Sequence, residues 1–149
     1  MDIMAVRQGV FRFTSPDYLG LPVWEFGMWG FYVLHTVRML DGPAPSGPLW
    51  KVLTLAALFA LPFVTLADQQ ALLIASTLLF AVALGFFHER ADLRYVGYMI
   101  AMGAVVEYLG VWCGQWSYPA NPPGGVAFWF VTMWGGIGLF TRRLLLRLL

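Results

Sequence analysis

Charge is what this sequence has least of. Only 11% of its 149 residues are Asp, Glu, Lys or Arg, while 60% are hydrophobic. A soluble domain carries about 25% charged residues, so most of the chain does not present a water-facing surface. The net charge is +1, and without a basic run carrying interleaved aromatics the sequence offers nucleic acid no footing. A single cysteine, Cys113, permits no internal disulfide and leaves the redox compartment unread. No HxxxH or HExxH spacing marks a metal site. Walker loops, dinucleotide fingerprints and internal repeats are also missing, so no cofactor is expected. Residues 1–20 hold Asp2, Arg7, Arg12 and Asp17 without a continuous apolar stretch, and no signal peptide is expected there.

What is there is apolar length. The hydrophobic segments are continuous and not alternating, which disfavours a β-barrel and predicts an all-α polytopic membrane bundle in one domain, residues 1–149. Five spans are expected at about 19–37, 49–67, 71–87, 95–117 and 126–140. The first is marginal, because Glu25 and His35 lie within it; the alternative is four spans plus an interfacial helix. Residues 1–18 read as an amphipathic segment on the membrane surface. Asp68 is placed to cap the third span and close a tight hairpin with the second, and Pro62 is expected to kink the second span. The loop from Asp41 to Pro48, the charged stretch from His88 to Arg94 and the Pro/Gly turn from Pro119 to Gly125 separate the remaining spans. Trp112, Trp116 and Trp134 are expected to form an interfacial aromatic belt.

Charge asymmetry orients the bundle. With five spans, Arg38, Lys51, Arg90, Arg94, Arg142, Arg143 and Arg147 share one side, against Arg7 and Arg12 on the other. The C-terminal side is then cytoplasmic, in a bacterial inner membrane.

Glu107 lies well inside the fourth span, roughly 18 Å from Tyr95 by helical rise. A carboxyl so placed costs at least about 2.5 kcal/mol and marks a functional site. Gly103, Gly110 and Gly114 share its helical face, with Tyr118 close behind. They form either a groove for a flat apolar ligand or a seam of small residues against a neighbouring helix. A buried carboxyl that keeps its proton can serve as a general acid toward an alkene, or as a proton relay. His35 and Trp134 are further candidate ligand contacts. His88-Glu89 reads as a solvated loop pair.

The run Glu107-Tyr-Leu-Gly110-Val-Trp-Cys-Gly114-Gln-Trp-Ser-Tyr118, followed by a Pro/Gly loop and an aromatic helix, resembles the ExxGVxTG…Y signature of the membrane carotenoid hydratases. The resemblance covers residues 107–140, with Cys113 in place of the usual threonine and a much shorter chain. It implies addition of water to a terminal isoprenoid double bond within the membrane, with no bound cofactor. Glu107 is carried over as the catalytic residue and Tyr118 as a pocket residue. Two functions follow as expectations. One is an intramembrane enzyme or binder for an isoprenoid, carotenoid or other lipid. The other is a non-enzymatic subunit of a larger membrane assembly, or a homo-oligomer, packing partner helices, pigments or lipids.

Overall fold

The computed structural model describes residues 2–40, 42–119 and 122–147. Asp41 and Ala120-Asn121, from the two expected loops, and the terminal residues Met1 and Leu148-Leu149 lie outside the described residues. The elements are α1 (Asp2–Arg7), β1 (Arg12–Phe13), α2 (Glu25–Met39), α3 (Leu49–Thr65), α4 (Gln69–Phe86), α5 (Arg90–Trp112), β2 (Trp116–Ser117), a 3₁₀ turn (Pro123–Gly125) and α6 (Trp129–Leu145).

The bundle is built around α6, not around α5. Nearly every α6 residue from Trp129 to Arg143 is buried, and α2, α3, α4 and α5 all pack on it. Small residues make this possible. A Cβ at Gly135 would lie 2.7 Å from the Phe80 ring of α4, at Gly136 2.2 Å from Phe59 of α3, and at Gly138 2.5 Å from the Tyr95 carbonyl oxygen of α5. Three glycines thus admit three neighbours on different sides of one helix. A buried hydrogen bond between Ser76 and Thr132, 2.7 Å long, adds a polar tie between α4 and α6.

The expected α3–α4 hairpin forms, and the Asp68 carboxylate accepts from the Ala71 N–H at 2.7 Å as its N-cap. Helix α3 runs on past Pro62 to Thr65. Three stretches are long and apolar enough to cross a membrane: Gln69–Phe86, Arg90–Trp112 and Pro123–Leu145. Among the described residues these three qualify by length and composition. The apolar α3 has 17 residues, and α2 has 15, which reaches only about 22 Å against a hydrocarbon layer of about 30 Å. The expected first span loses its opening residues to a turn, with Leu19 and Gly20 at φ 54° and 81° and Tyr18 bridged to Leu21. Large apolar side chains such as Leu58, Leu61, Leu78, Val82 and Val105 face outward.

Two boundaries moved for identifiable reasons. Helix α5 starts at Arg90, inside the expected charged loop. Glu89 caps it, and Asp92 returns the bond by accepting from the Glu89 N–H at 2.9 Å, a capping box. It ends at Trp112 because Gly114 takes φ 68°. There the Gln115 N–H bonds the Gly110 carbonyl at 2.8 Å and the Gly114 N–H bonds Val111 at 3.0 Å, a Schellman reversal.

Within the N-terminal segment the helix covers only Asp2–Arg7. Val10, Phe11 and Phe13 are buried, and β1 pairs antiparallel with β2, Phe13 opposite Trp116. Gln8 Nε2 donates to the Val64 carbonyl at 2.7 Å and Gln69 Nε2 to the Val10 carbonyl at 2.6 Å. These bonds fasten the segment to the α3–α4 turn. It forms a plug over one end of the bundle.

Candidate functional site

Under that plug lies Glu107. It projects from α5 less than two turns before the helix ends, so it sits toward one end of the bundle and not at its middle. Three side chains donate to its carboxylate: Tyr118 Oη to Oε2 at 2.7 Å, Trp116 Nε1 to Oε2 at 3.2 Å, and Trp134 Nε1 to Oε1 at 3.1 Å. Trp116 and Tyr118 reach the same oxygen because residues two apart on an extended segment point to one side. The Gly114 reversal folds that segment back over α5.

The glycine face is occupied by the donors themselves. A Cβ at Gly103 would lie 2.2 Å from the Trp134 ring, and one at Gly110 would lie 2.0 Å from the Trp116 ring. The predicted contact between the glycine face of α5 and α6 is therefore made through Gly103. Gly110 instead receives Trp116 from β2. Gly114 lies beyond the helix and meets no side chain, its Cβ direction being open. The expected aromatic belt dissolves accordingly: Trp112 is exposed, while Trp116 and Trp134 turn inward to the carboxylate.

A cavity of about 40 Å³ borders Glu107, lined also by Asp2, Glu25, Tyr32, Trp29 and Trp129. That is room for a few water-sized groups. Trp29 donates to Asp2 Oδ2 at 2.5 Å, and its ring lies 5.1 Å from that of Trp134. Asp2 and Glu25 line the same cavity as Glu107. The site therefore brings three carboxyl side chains together, with Glu107 surrounded by donors. Indole nitrogens only donate, so two of the three bonds to Glu107 need it as an acceptor.

His35 is not part of this arrangement. Its Nε2 lies 2.7 Å from Tyr98 Oη, and Tyr98 stands nine positions before Glu107 along α5. Asp2 and Trp116 are the members that sequence reasoning passed over. The i, i+2 spacing of Trp116 and Tyr118 after a glycine was a usable signal for one of them; nothing local marked Asp2. Among the described residues, no group of three His, Cys, Asp or Glu side chains is placed to hold a metal ion.

The opposite end of the bundle carries a second polar cluster. Asp92, Arg142 and Arg143 are all buried. Arg142 Nη1 bonds Asp92 Oδ1 at 2.5 Å and its Nη2 bonds Glu89 Oε2 at 2.8 Å. Arg143 Nε bonds Asp92 Oδ1 at 2.8 Å, its Nη2 pairs with Asp92 Oδ2, and its Nη1 donates to the Ser46 carbonyl at 2.7 Å. Glu89 is thus a cap and ion-pair partner, not a solvated loop residue. The Ser46 hydroxyl bonded to it, with the two guanidiniums beside it, holds its carboxyl down at about 2. These two arginines lock α6 to α5 and to the 43–46 loop.

No family model, no curated protein and no solved structure matches the chain.

Proposed function

We propose that the chain is integral to a bacterial inner membrane, with the Arg142 end cytoplasmic, and that it binds and modifies an isoprenoid, carotenoid or similar lipid at the Glu107 end. The observation that supports this is the meeting of Glu107, its three donors and the carboxyls of Asp2 and Glu25 around one aromatic-lined cavity. Proton-initiated addition of water to a terminal double bond fits both these groups and the motif resemblance. A cavity carboxyl, Asp2 or Glu25, gives a proton to one alkene carbon. The cation left on the other carbon faces Glu107 and the indole rings. Water adds to that carbon and returns a proton to the same carboxyl. No cofactor enters the balance. Only the reacting tip of a lipid fits the cavity, and its chain lies along the apolar outer faces.

The test incubates purified protein in detergent with an acyclic polyprenoid in ¹⁸O-labelled water and analyses the extracted lipid by mass spectrometry. Labelled hydrated product is expected from the wild type and none from Glu25→Gln or Glu107→Gln protein that retains its helical circular dichroism. Unlabelled lipid from the wild type sinks the enzymatic reading.

One observation favours a second reading. The cavity, at about 40 Å³, is tight for a branched isoprenoid end, and the Trp rings already fill the glycine face. In that case the chain is a non-enzymatic subunit, its outward apolar faces packing partner helices, pigments or lipids. A discrete larger complex on native gels, together with absent turnover, would select it.

A further inference from the structure

At the end of the bundle away from Glu107, a cavity of about 420 Å³ opens between the start of α3 and the end of α4, bordered by Ser46, Lys51, His88, Glu89 and Arg143. Beside it lies a second, apolar groove of about 200 Å³ walled by Trp50, Leu55 and Phe86. Lys51 and Phe86 line both. The polar and apolar compartments are therefore adjacent, with Lys51 and Phe86 as their common wall.

Charge decides what such a groove takes. The two acids nearby, Glu89 and Asp92, are matched by the two arginines Arg142 and Arg143. Lys51 has no ion-pair partner among the described residues, and its Nζ lies 5.6 Å from the centre of the Trp50 ring. Arg147, beside the cavity through Ser46, donates among the described residues to the Arg143 and Ser46 carbonyls, at 2.9 and 3.0 Å. Neither Lys51 nor Arg147 is paired with an acid among the described residues. A lysine at the rim of an apolar helix keeps its ammonium at headgroup level while its stem lies on hydrocarbon.

We propose that this two-part groove binds one anionic phospholipid. Its phosphate meets Lys51 and Arg147, and one acyl chain lies against Trp50, Leu55 and Phe86. The site does not depend on the chemistry assigned to Glu107.

The experiment is native mass spectrometry of the full chain in detergent, titrated with phosphatidylglycerol or with phosphatidylcholine of the same acyl chains. One phosphatidylglycerol should be retained, at about fivefold lower concentration than phosphatidylcholine, as one well-placed cation near the membrane surface predicts. Lys51→Gln should abolish that preference, Arg147→Gln should reduce it, and Thr54→Trp, which crowds the apolar groove, should weaken both lipids. Circular dichroism checks that each variant is folded. Equal retention of the two lipids overturns the proposal, as does an unchanged preference in both charge variants. Competition by glycerophosphate as strong as by the intact lipid would make this a simple anion site and also overturn it.

Discussion

Trp134 fills the space left by the missing side chain of Gly103, and from there its Nε1 donates to Glu107 Oε1 at 3.1 Å. The glycine that lets α5 and α6 approach is the same one that seats a donor on the buried acid. Helix packing and the hydrogen bonding of the buried acid, which are competing explanations of GxxxExxG in the sequence, are one construction here. Gly110 and Trp116 repeat it one turn beyond Glu107.

Substituting these glycines should separate crowding from backbone strain. Gly103→Ala and Gly110→Ala each drive a methyl into an indole ring and should cost about 1–3 kcal/mol, with a shift in tryptophan fluorescence as the ring leaves Glu107. Gly114→Ala meets open space and should cost only ~1 kcal/mol for its left-handed backbone, with little change in fluorescence. Detergent-phase unfolding together with emission spectra distinguishes the two kinds. Equal emission shifts in all three variants would count against the indole arrangement.

Glu107→Gln tests the donor arrangement. Both carboxylate oxygens accept from ring donors, whereas an amide has one acceptor and one donor. At least one indole N–H must then lose its partner, and about 1–3 kcal/mol of stability should go with it. Glu107→Ala should cost at least as much, since all three donors lose their partner. Trp134→Phe with Glu107→Gln removes the mismatch on Oε1 and should lose less than the sum of the two single changes. Additive losses would place the indole elsewhere.

How much of this was legible beforehand follows the range of the interactions. The α3–α4 hairpin and its Asp68 cap are local and could be read directly. Glu107 stood out because an isolated carboxyl in an apolar run has few cheap explanations. The partners of Glu107 were less visible. Trp116 and Tyr118 arrive through a chain reversal that only the positive φ of Gly114 makes, and Asp2 comes from more than 100 positions away. Arg142 and Arg143 were hidden by a correct generality, that basic residues after an apolar run mark an interface. The buried Asp92 waiting on α5 overrides it. Periodicity likewise could not show that α6, with no acid of its own, is the centre; its three glycines make sense only once three neighbours are placed around it.

The ion cluster should dominate acid stability. Glu89 has its folded value lowered from 4.5 to about 2. Its contribution is therefore complete above about pH 4.5 and is lost as pH falls toward 2. Glu89→Gln should flatten that part of a stability-against-pH curve and leave the neutral region less changed. Asp92→Asn should be more severe near neutral pH, about 3–5 kcal/mol, because it leaves two buried guanidiniums short of countercharge. Thermal unfolding in detergent between pH 2.5 and 7 reads both. An acid limb with the same slope in Glu89→Gln would show that another carboxyl governs it.

The native Cys113 can report the orientation of the bundle without any engineered site. It is the single cysteine, it is exposed, and it lies in the reversal just after α5. Arg142, Arg143 and Arg147 gather at the other end, where Tyr95 Oη also bonds the Leu40 carbonyl at 2.5 Å. Lys51, Arg90 and Arg94 start their helices at that same end, and Arg38 finishes α2 there. Arg7 and Arg12 alone share the Cys113 end, in the plug that Thr14 ties to Gly114 by a 2.5 Å hydrogen bond. If the basic end is cytoplasmic, Cys113 faces outward and a membrane-impermeant maleimide added to intact cells should label it. Cys113→Ser should remove the label. A wild-type signal that appears only after the cells are opened would invert the orientation, putting the Glu107 site on the cytoplasmic side and the lysine-lined groove on the outside.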